Sequence, residues 1–499
     1  MPSERGRKPV RLSLFSSVND LDPAPRRFLY FTAFNVISWQ CIVGPAMVLF
    51  ARAINMPASY VGFLISFMPL SSLIVAVTMP LIVFFGPKRM LFFAWMSRNL
   101  AVCSVFILPW AVRNWGERAG WYVLGGSVLA FCILRAMGSG CWLPWLHEVV
   151  PANQRGSYFS AESAITQVIN VGIILGQGLL LHFDPGVRSY LMIYAVGISA
   201  GLFSLIWMSR VPGGEAVPDM PTVWSSFAAY GKPLRDGNYL KFLAISSLSF
   251  SAMSWLGSSM VLYLRDAMGI NDNIIMVYIA AASMAVLLTI RHWGRFADEA
   301  GSARAMSKTL FAHSLGALAC LAAAPTSPIA IYLLVPALVG MTMYGAAFAM
   351  SANRAVLNLT CEQGRIGYTN LWTLATALAM GLTPIAVGLV IEAGGLWGFR
   401  ICFLIAGVAG LVFAVGCRYF VIEDPAEARP PVLNALANPG LPLRMVGRVI
   451  WISLGLHDSA RVNGSSRPHV DGPATPPESG APPTGTPSPG DSCTHRASA

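Results

Sequence analysis

The feature that most constrains this chain is a train of apolar blocks, each close to the roughly 20 residues a helix needs to cross a bilayer. In hydrocarbon only a closed helix satisfies each backbone N–H and C=O within its own segment, so such blocks predict membrane-crossing helices. A soluble chain of 499 residues would divide into two or three domains. Composition points the other way: 55% of the residues are hydrophobic and 11% charged, where soluble domains hold about a quarter charged. Twelve blocks read as spans, near 28–51, 59–85, 90–112, 121–146, 162–182 and 188–209, then 239–264, 273–293, 305–323, 328–350, 368–392 and 397–422. The polar stretch 210–238 is the longest interruption before the tail and divides them six and six. The expectation is an all-α membrane protein: a cytoplasmic segment 1–27, a first bundle 28–209, a linker 210–238, a second bundle 239–422 and a cytoplasmic tail 423–499.

Lys and Arg collect in cytoplasmic loops, which sets the orientation. With the N-terminus inside, the cytoplasmic segments hold Arg26, Arg27, Lys88, Arg89, Arg155, Arg210, Arg295, Arg304, Arg354 and Arg365, among others. The opposite side keeps Arg52, Arg113, Arg118, Arg188, Arg265 and Arg400. Both termini are therefore expected in the cytoplasm of a multi-pass protein of the cell membrane, plasma or inner. The net charge of +11 is scattered between apolar blocks; a nucleic-acid surface would cluster it beside aromatics, so no nucleic-acid partner is expected. The polar N-terminal segment is not followed by the short apolar run and cleavage site of a signal peptide, so the first block reads as a retained span.

The nine cysteines show no C-x-x-C spacing and nearly all lie in apolar blocks, where cysteine packs as a small hydrophobe rather than a metal or redox ligand. Beyond Glu423 the chain turns to Pro, Gly, Ser and Thr, a composition expected to stay disordered. Within it, 441–456 is apolar but carries Arg444 and Arg448, which suits a helix lying in the membrane interface. No Gly-rich phosphate loop with a following Lys occurs, which argues against a nucleotide-driven pump. No His/Asp or metal-spacing cluster marks an enzyme, and no cofactor is expected.

The two halves repeat each other. Gly44-Pro45-Ala46-Met47-Val48-Leu49-Phe50-Ala51-Arg52 closes the first span, and Gly257-Ser258-Ser259-Met260-Val261-Leu262-Tyr263-Leu264-Arg265 closes the seventh. Arg155-Gly156-Ser157-Tyr158 precedes the fifth span and Arg365-Ile366-Gly367-Tyr368 the eleventh. The offsets, 213 and 210 residues, agree at matching places in each half, as two six-helix repeats require. Between the eighth and ninth spans lies Gly294-Arg295-Phe296-Ala297-Asp298-Glu299-Ala300-Gly301-Ser302-Ala303-Arg304. This segment resembles G-x-x-x-D-x-x-G-x-x-R, the cytoplasmic-loop signature of the major facilitator superfamily, whose parallel six-helix halves match the repeat. The resemblance covers residues 27–422. It implies two pseudo-symmetric six-helix bundles around a central cavity lined by the first, fourth, seventh and tenth spans. It also implies charge pairs from Gly294, Arg295, Asp298, Gly301 and Arg304 that latch the halves on the cytoplasmic side. Arg155, Tyr158, Arg365 and Tyr368 stand at the corresponding ends. The first-half loop departs from the pattern, with Met79 in place of the first Gly and Val83 in place of the Asp, while Gly86, Lys88 and Arg89 remain.

Ionisable residues within spans are rare and usually functional. Arg135 falls about 21 Å along the fourth span, near its middle, with Gly138, Ser139 and Trp142 on its face. Arg135-Ala136-Met137-Gly138-Ser139-Gly140 also resembles, one residue short, the superfamily's fourth-span Arg with a glycine pair. Arg98 sits nearer the cytoplasmic end of the third span, from where it can snorkel. Polar faces that suit the same cavity are Asn35 and Trp39, with Gln40 to one side, in the first span, and Gln167 and Asn170 in the fifth. The seventh adds Ser254 and Trp255, and the tenth Tyr344. Gly172 to Gly176 in the fifth span reads as a packing face. Glu148, Glu162 and Glu392 fall at span ends and no carboxylate falls mid-span, so a proton relay is not evident. The functional expectation is alternating-access transport, active or facilitated, of a small polar or anionic solute by a bilayer-embedded monomer. The alternative is a transporter-derived sensor or assembly factor.

Overall fold

The computed structural model describes residues 21–75, 78, 85–151, 155–215, 231–325, 327, 330–360, 365–421 and 441–455. Met79 and Val83, most of the tail, Cys361 and Cys493 lie outside the described residues. The described chain is helical throughout. Its first part comprises α1 (Pro23–Val43), α2 (Pro45–Ala53), α3 (Ala58–Ser71), α4 (Pro87–Val102), α5 (Leu108–Trp115), α6 (Glu117–Ser139), α7 (Trp142–Val149), α8 (Arg155–Phe183) and α9 (Val187–Ser209). After the linker come α10 (Gly237–Leu262), α11 (Asp272–Ala300), α12 (Ser302–Ala319), α13 (Ala330–Leu359), α14 (Arg365–Gly394), α15 (Leu396–Phe420) and α16 (Leu441–Ser453). Among the described residues, eleven helical segments are long and apolar enough to cross a membrane. The apolar helix Ala58–Ile74, at the second expected position, is shorter.

Several spans are broken where the sequence dictates. Pro45 has no N–H to offer, so α1 ends at Gly44 and α2 begins on the proline. α4 and α5 join through a 3-10 turn, Cys103–Ile107, just before Pro109. The fourth span, expected to run unbroken over 121–146, ends its helix at Ser139 and restarts at Trp142 after a turn through Gly140 and Cys141. Arg135 is therefore about one turn, roughly 6 Å, from a helix end rather than mid-span. Gly301, between α11 and α12, has φ +87°, a left-handed conformation that glycine adopts without the penalty of a Cβ.

The two halves of the chain meet along two helix pairs, α3 with α14 and α8 with α11. The first pair is in backbone contact. A Cβ on Gly62 would lie 2.2 Å from the Pro384 carbonyl oxygen, and one on Gly388 2.5 Å from that of Ala58. Small residues allow such approach where apolar burial gives no preference for helix over lipid. The stripe Gly172–Gly176 does not serve this purpose. Both glycines are exposed, and a Cβ on either would meet nothing within 4 Å; the close approach of α8 to α11 falls instead at Gly178, against Met276. The pitch of α8 turns the two earlier glycines away from its neighbours.

The core lies in large apolar clusters. The largest spans both halves and includes Phe50, Phe131, Leu256, Met260 and Ile275. Others gather at the end of the bundle where α1 begins, here the near end, around Phe28, Trp95 and Trp145 in the first half and Tyr239, Phe348 and Tyr368 in the second.

Candidate functional site

The strongest convergence of polar groups within the first half centres on Arg98. It is 0% exposed, so its guanidinium does not snorkel. Its Nη2 donates to Asn35 Oδ1 at 2.5 Å, and the same oxygen accepts from Trp95 Nε1 at 2.9 Å. The guanidinium lies over the Trp95 and Phe131 rings, 4.2 and 4.8 Å from their centroids. Asn99 extends the network by donating to the Trp95 carbonyl and accepting from Ser38. Removing a charge from water costs several kcal/mol. Each desolvated ring stack returns about 2 kcal/mol and a charged hydrogen bond about 1.5–3. These terms roughly balance, so Arg98 is a fixed internal cation, although its Nε has no partner among the described residues.

Arg135 has no such compensation. It is half-buried and has no hydrogen bond or ion pair among the described residues, while its charge reaches Arg98. Two like charges in one low-dielectric region repel, and an anion between or beside them relieves both. Of the residues expected to share its face, Gly138 is committed elsewhere: a Cβ there would lie 2.7 and 2.8 Å from Ala94 and Trp95, so it seats α6 on α4. Trp142 lies beyond the break and packs on Phe28 and Phe31, centroids 4.6 and 5.5 Å away. Ser139, half-buried, donates to the Ala136 carbonyl.

On α8, Glu162 sits at the start of the apolar part, Ala161–Phe183, as expected of a span end. It nevertheless turns into the bundle, accepting from Thr32 Oγ1 at 3.5 Å beside buried Tyr158. Thr32 is one turn before Asn35, so this carboxylate lies about 5 Å closer to the near end than the Arg98 pair. Further along α8, Gln177 donates to the Gln40 carbonyl. Gln167 and Asn170 lie between these two contacts, both half-buried, and the buried Asn170 Oδ1 has no partner among the described residues. Sequence reasoning missed Trp95, Asn99 and Phe131. An Arg with Trp three positions before it on one helix was the available signal.

Other expected site residues are not brought to this cluster. Gln40 is buried. Trp39 Nε1 donates to Met68 Sδ at 3.3 Å. Ser254 and Trp255 are half-buried on α10 in the other half, whose neighbouring Ser251 hydroxyl meets Thr383 at 2.7 Å. Tyr344 packs edge-on against Trp293, 6.0 Å between centroids, in the cluster that holds Val449 and Ile452 of α16.

The expected loop latch is internal to each half. Asp298 pairs with Arg354 Nε of α13 at 3.2 Å, and Arg354 also donates to the Ala297 carbonyl and to Ser302. Gly294 faces Met350, Arg295 is exposed and Arg304 is half-buried. Tyr368 stacks edge-on against Tyr239 at 4.6 Å and donates to Asp236, the N-cap of α10. In the first half Lys88 Nζ donates to the Val211 carbonyl at 2.5 Å, Arg89 is exposed, and the side chains of Arg155 and Arg365 lie outside the described residues.

The polar contacts between halves gather at the far end. Arg52 Nε pairs with Asp266 across the interface at 3.0 Å, and within the second half Arg265 Nε pairs with Asp272 at 3.0 Å. Arg265 also donates to the Leu49 carbonyl at 2.8 Å, and Tyr190 donates to Asp272. Ser59 N donates to Glu392 at 3.1 Å, and Asn273 meets His182 at 3.2 Å. The two arginines that close the repeated segment thus cross the interface in opposite directions.

No family model matches the sequence, and no curated protein matches it. Solved structures do match. The nucleoside transporter NupG, as a D323A mutant, superposes with a TM-score of 0.63 at 12% identity, covering 80% of this chain and 99% of that one. A bacterial homologue of the iron transporter ferroportin in its inward-facing state gives 0.63 at 14% identity, over 80% and 98% of the two chains. Its outward-facing state gives 0.58, at 13% identity over 80% and 99%. A POT family transporter in complex with 5-aminolevulinic acid gives 0.61 at 10% identity, over 81% and 99%. In fold, the chain is a multi-pass membrane protein that resembles transporters of the major facilitator type.

Proposed function

We propose that the protein transports a small polar or anionic solute by alternating access, as a secondary active or facilitative carrier. The carrying observation is Arg135, half-buried and without a partner among the described residues, whose charge acts on fully buried Arg98. That pair repels cations and favours an anion or a solute with a negative end. Asn35, Gln167 and Asn170 supply neutral donors and acceptors at a comparable depth. Twelve spans in the cell membrane, counting the short α3, with both termini cytoplasmic, complete this reading, and the charge asymmetry supports the orientation. The far-end contacts support a state closed there and open toward the near end, and the higher likeness to the inward-facing ferroportin homologue agrees with it.

The test is uptake and exchange in proteoliposomes with a panel of radiolabelled organic anions, neutral polar solutes and organic cations. An anion is expected to be carried by wild type, with Arg135→Gln lowering its apparent affinity at least tenfold without lowering thermal stability, since the side chain holds nothing together and its charge repels Arg98. A solute carried equally well by Arg135→Gln removes the site assignment, and carriage of cations alone removes the anion reading.

A further inference from the structure

α16 and the helix ends beneath it gather a second group of positive charges, in the other half of the chain from Arg98 and Arg135. Val449 and Ile452 of α16 are buried against Trp293, Phe296, Ala297, Ala305 and Ala347, which clamps the helix onto α11, α12 and α13. Its other side is unusual for a water-facing helix. Ile450, Trp451 and Leu454 are 49%, 58% and 64% exposed, alongside exposed Arg444 and Arg448. An apolar strip with Trp, edged by arginines, is the pattern of a helix seated at the headgroup level of a bilayer.

Next to it, Lys308 of α12 is half-buried, with its Nζ 4.2 Å from the centroid of the Phe296 ring. Three further positive charges act on it: Arg448 of α16, Arg304 of α12 and Arg418 of α15. Four cations from three helices converge at the near end, where a lipid phosphate would lie. On α15 the exposed Val412, Val415 and Phe420 continue outward as an apolar surface for acyl chains.

We propose that Lys308, Arg304, Arg418 and Arg448 bind the phosphate headgroup of an anionic phospholipid, with α16 as one wall of the site. Lipid is favoured over a soluble phosphate because the basic group is bordered by exposed apolar side chains on both α15 and α16. Basic pockets between helix ends bind anionic headgroups on charge alone, each Lys or Arg contributing about a fivefold gain in affinity.

The test titrates phosphatidylglycerol, phosphatidylcholine and inorganic phosphate into the purified full-length protein in detergent, reading thermal stability and lipid retention by native mass spectrometry. Phosphatidylglycerol is expected to stabilise the wild type and be retained, while the other two do neither. R448Q, a change at an exposed position that folds normally, weakens retention about fivefold, and K308Q with R448Q about thirtyfold. Equal effects of the two lipids, an equal effect of inorganic phosphate, or unchanged retention by R448Q overturns the proposal.

Discussion

Asp272→Asn isolates the electrostatic part of the far-end contact between halves. The carboxylate accepts from the Tyr190 hydroxyl of the first half, and it also pairs at 3.0 Å with Arg265 of its own half, which in turn donates to the Leu49 carbonyl across the interface. Asparagine keeps an acceptor of the same size for one partner, so geometry survives and charge is lost. For the Tyr190 bond that crosses the interface, a charged hydrogen bond contributes about 1.5–3 kcal/mol and a neutral one about 1, which leaves a loss of about 0.5–2 kcal/mol. If the contact exists only when the far end is closed, that loss shifts the ratio of closed to open far-end states about two- to thirtyfold. Spin labels at Trp115 and Trp397, exposed positions beside the far-end turns of opposite halves, report the separation by pulsed dipolar spectroscopy in a cysteine-depleted background. The expected result is a longer-distance population that grows in Asp272→Asn and grows further when Arg52→Gln is added. Unchanged distance distributions in both variants would refute the view that these charges hold the far end shut.

Two other outcomes follow from packing. Gly388→Ala places a Cβ 2.5 Å from the Ala58 carbonyl oxygen and 2.9 Å from Ser59 Cα. Backbone must move, costing about 1–3 kcal/mol, which thermal denaturation in detergent reads as a lowered midpoint; an unchanged midpoint would mean that α3 and α14 are not in contact. Gly214→Ala meets both a φ of +74° and neighbours Lys88 and Trp145 at 2.7 and 2.9 Å, whereas Asp298→Asn breaks a pair whose carboxylate side chain is 72% exposed. The first is expected to cost about 2–4 kcal/mol and the second below about 1, so a reversed order in the same melting assay contradicts the account of the near end.

The spans and the repeat were legible because hydrophobic length and internal self-similarity are local properties of a sequence. The depth of the arginines was not. Arg98 is fully buried and Arg135 half-buried near the end of a helix that stops at Ser139, where Gly138 packs on Trp95, a tertiary contact. The same holds for Tyr344, whose cavity placement was inferred from its span number. Tyr344 packs in a cluster with Val449 and Ile452 of α16, more than a hundred residues later in the chain. Arg52 and Arg265 were visible as repeat markers, but Asp266, the partner of Arg52, follows the second copy only, so nothing in the periodicity linked it to Arg52 across the interface.

That asymmetry has a physical logic that the loop signature also shows. In the second half, Asp298 pairs with Arg354 and Tyr368 with Asp236, so side chains of neighbouring helices tie the near end together. In the first half the segment 211–214 does this work through its backbone. Lys88 Nζ donates to the Val211 carbonyl, Trp145 Nε1 to the Pro212 carbonyl at 3.0 Å, and Gly214 N to Glu148 at 2.9 Å. Gly213 and Gly214 both have positive φ, +77° and +74°, which lets the segment fold back under α4 and α7. A backbone strap supplies acceptors whatever side chains face it, so a first-half loop that keeps Gly86 and Lys88 can lose its acidic position without leaving the near end untied.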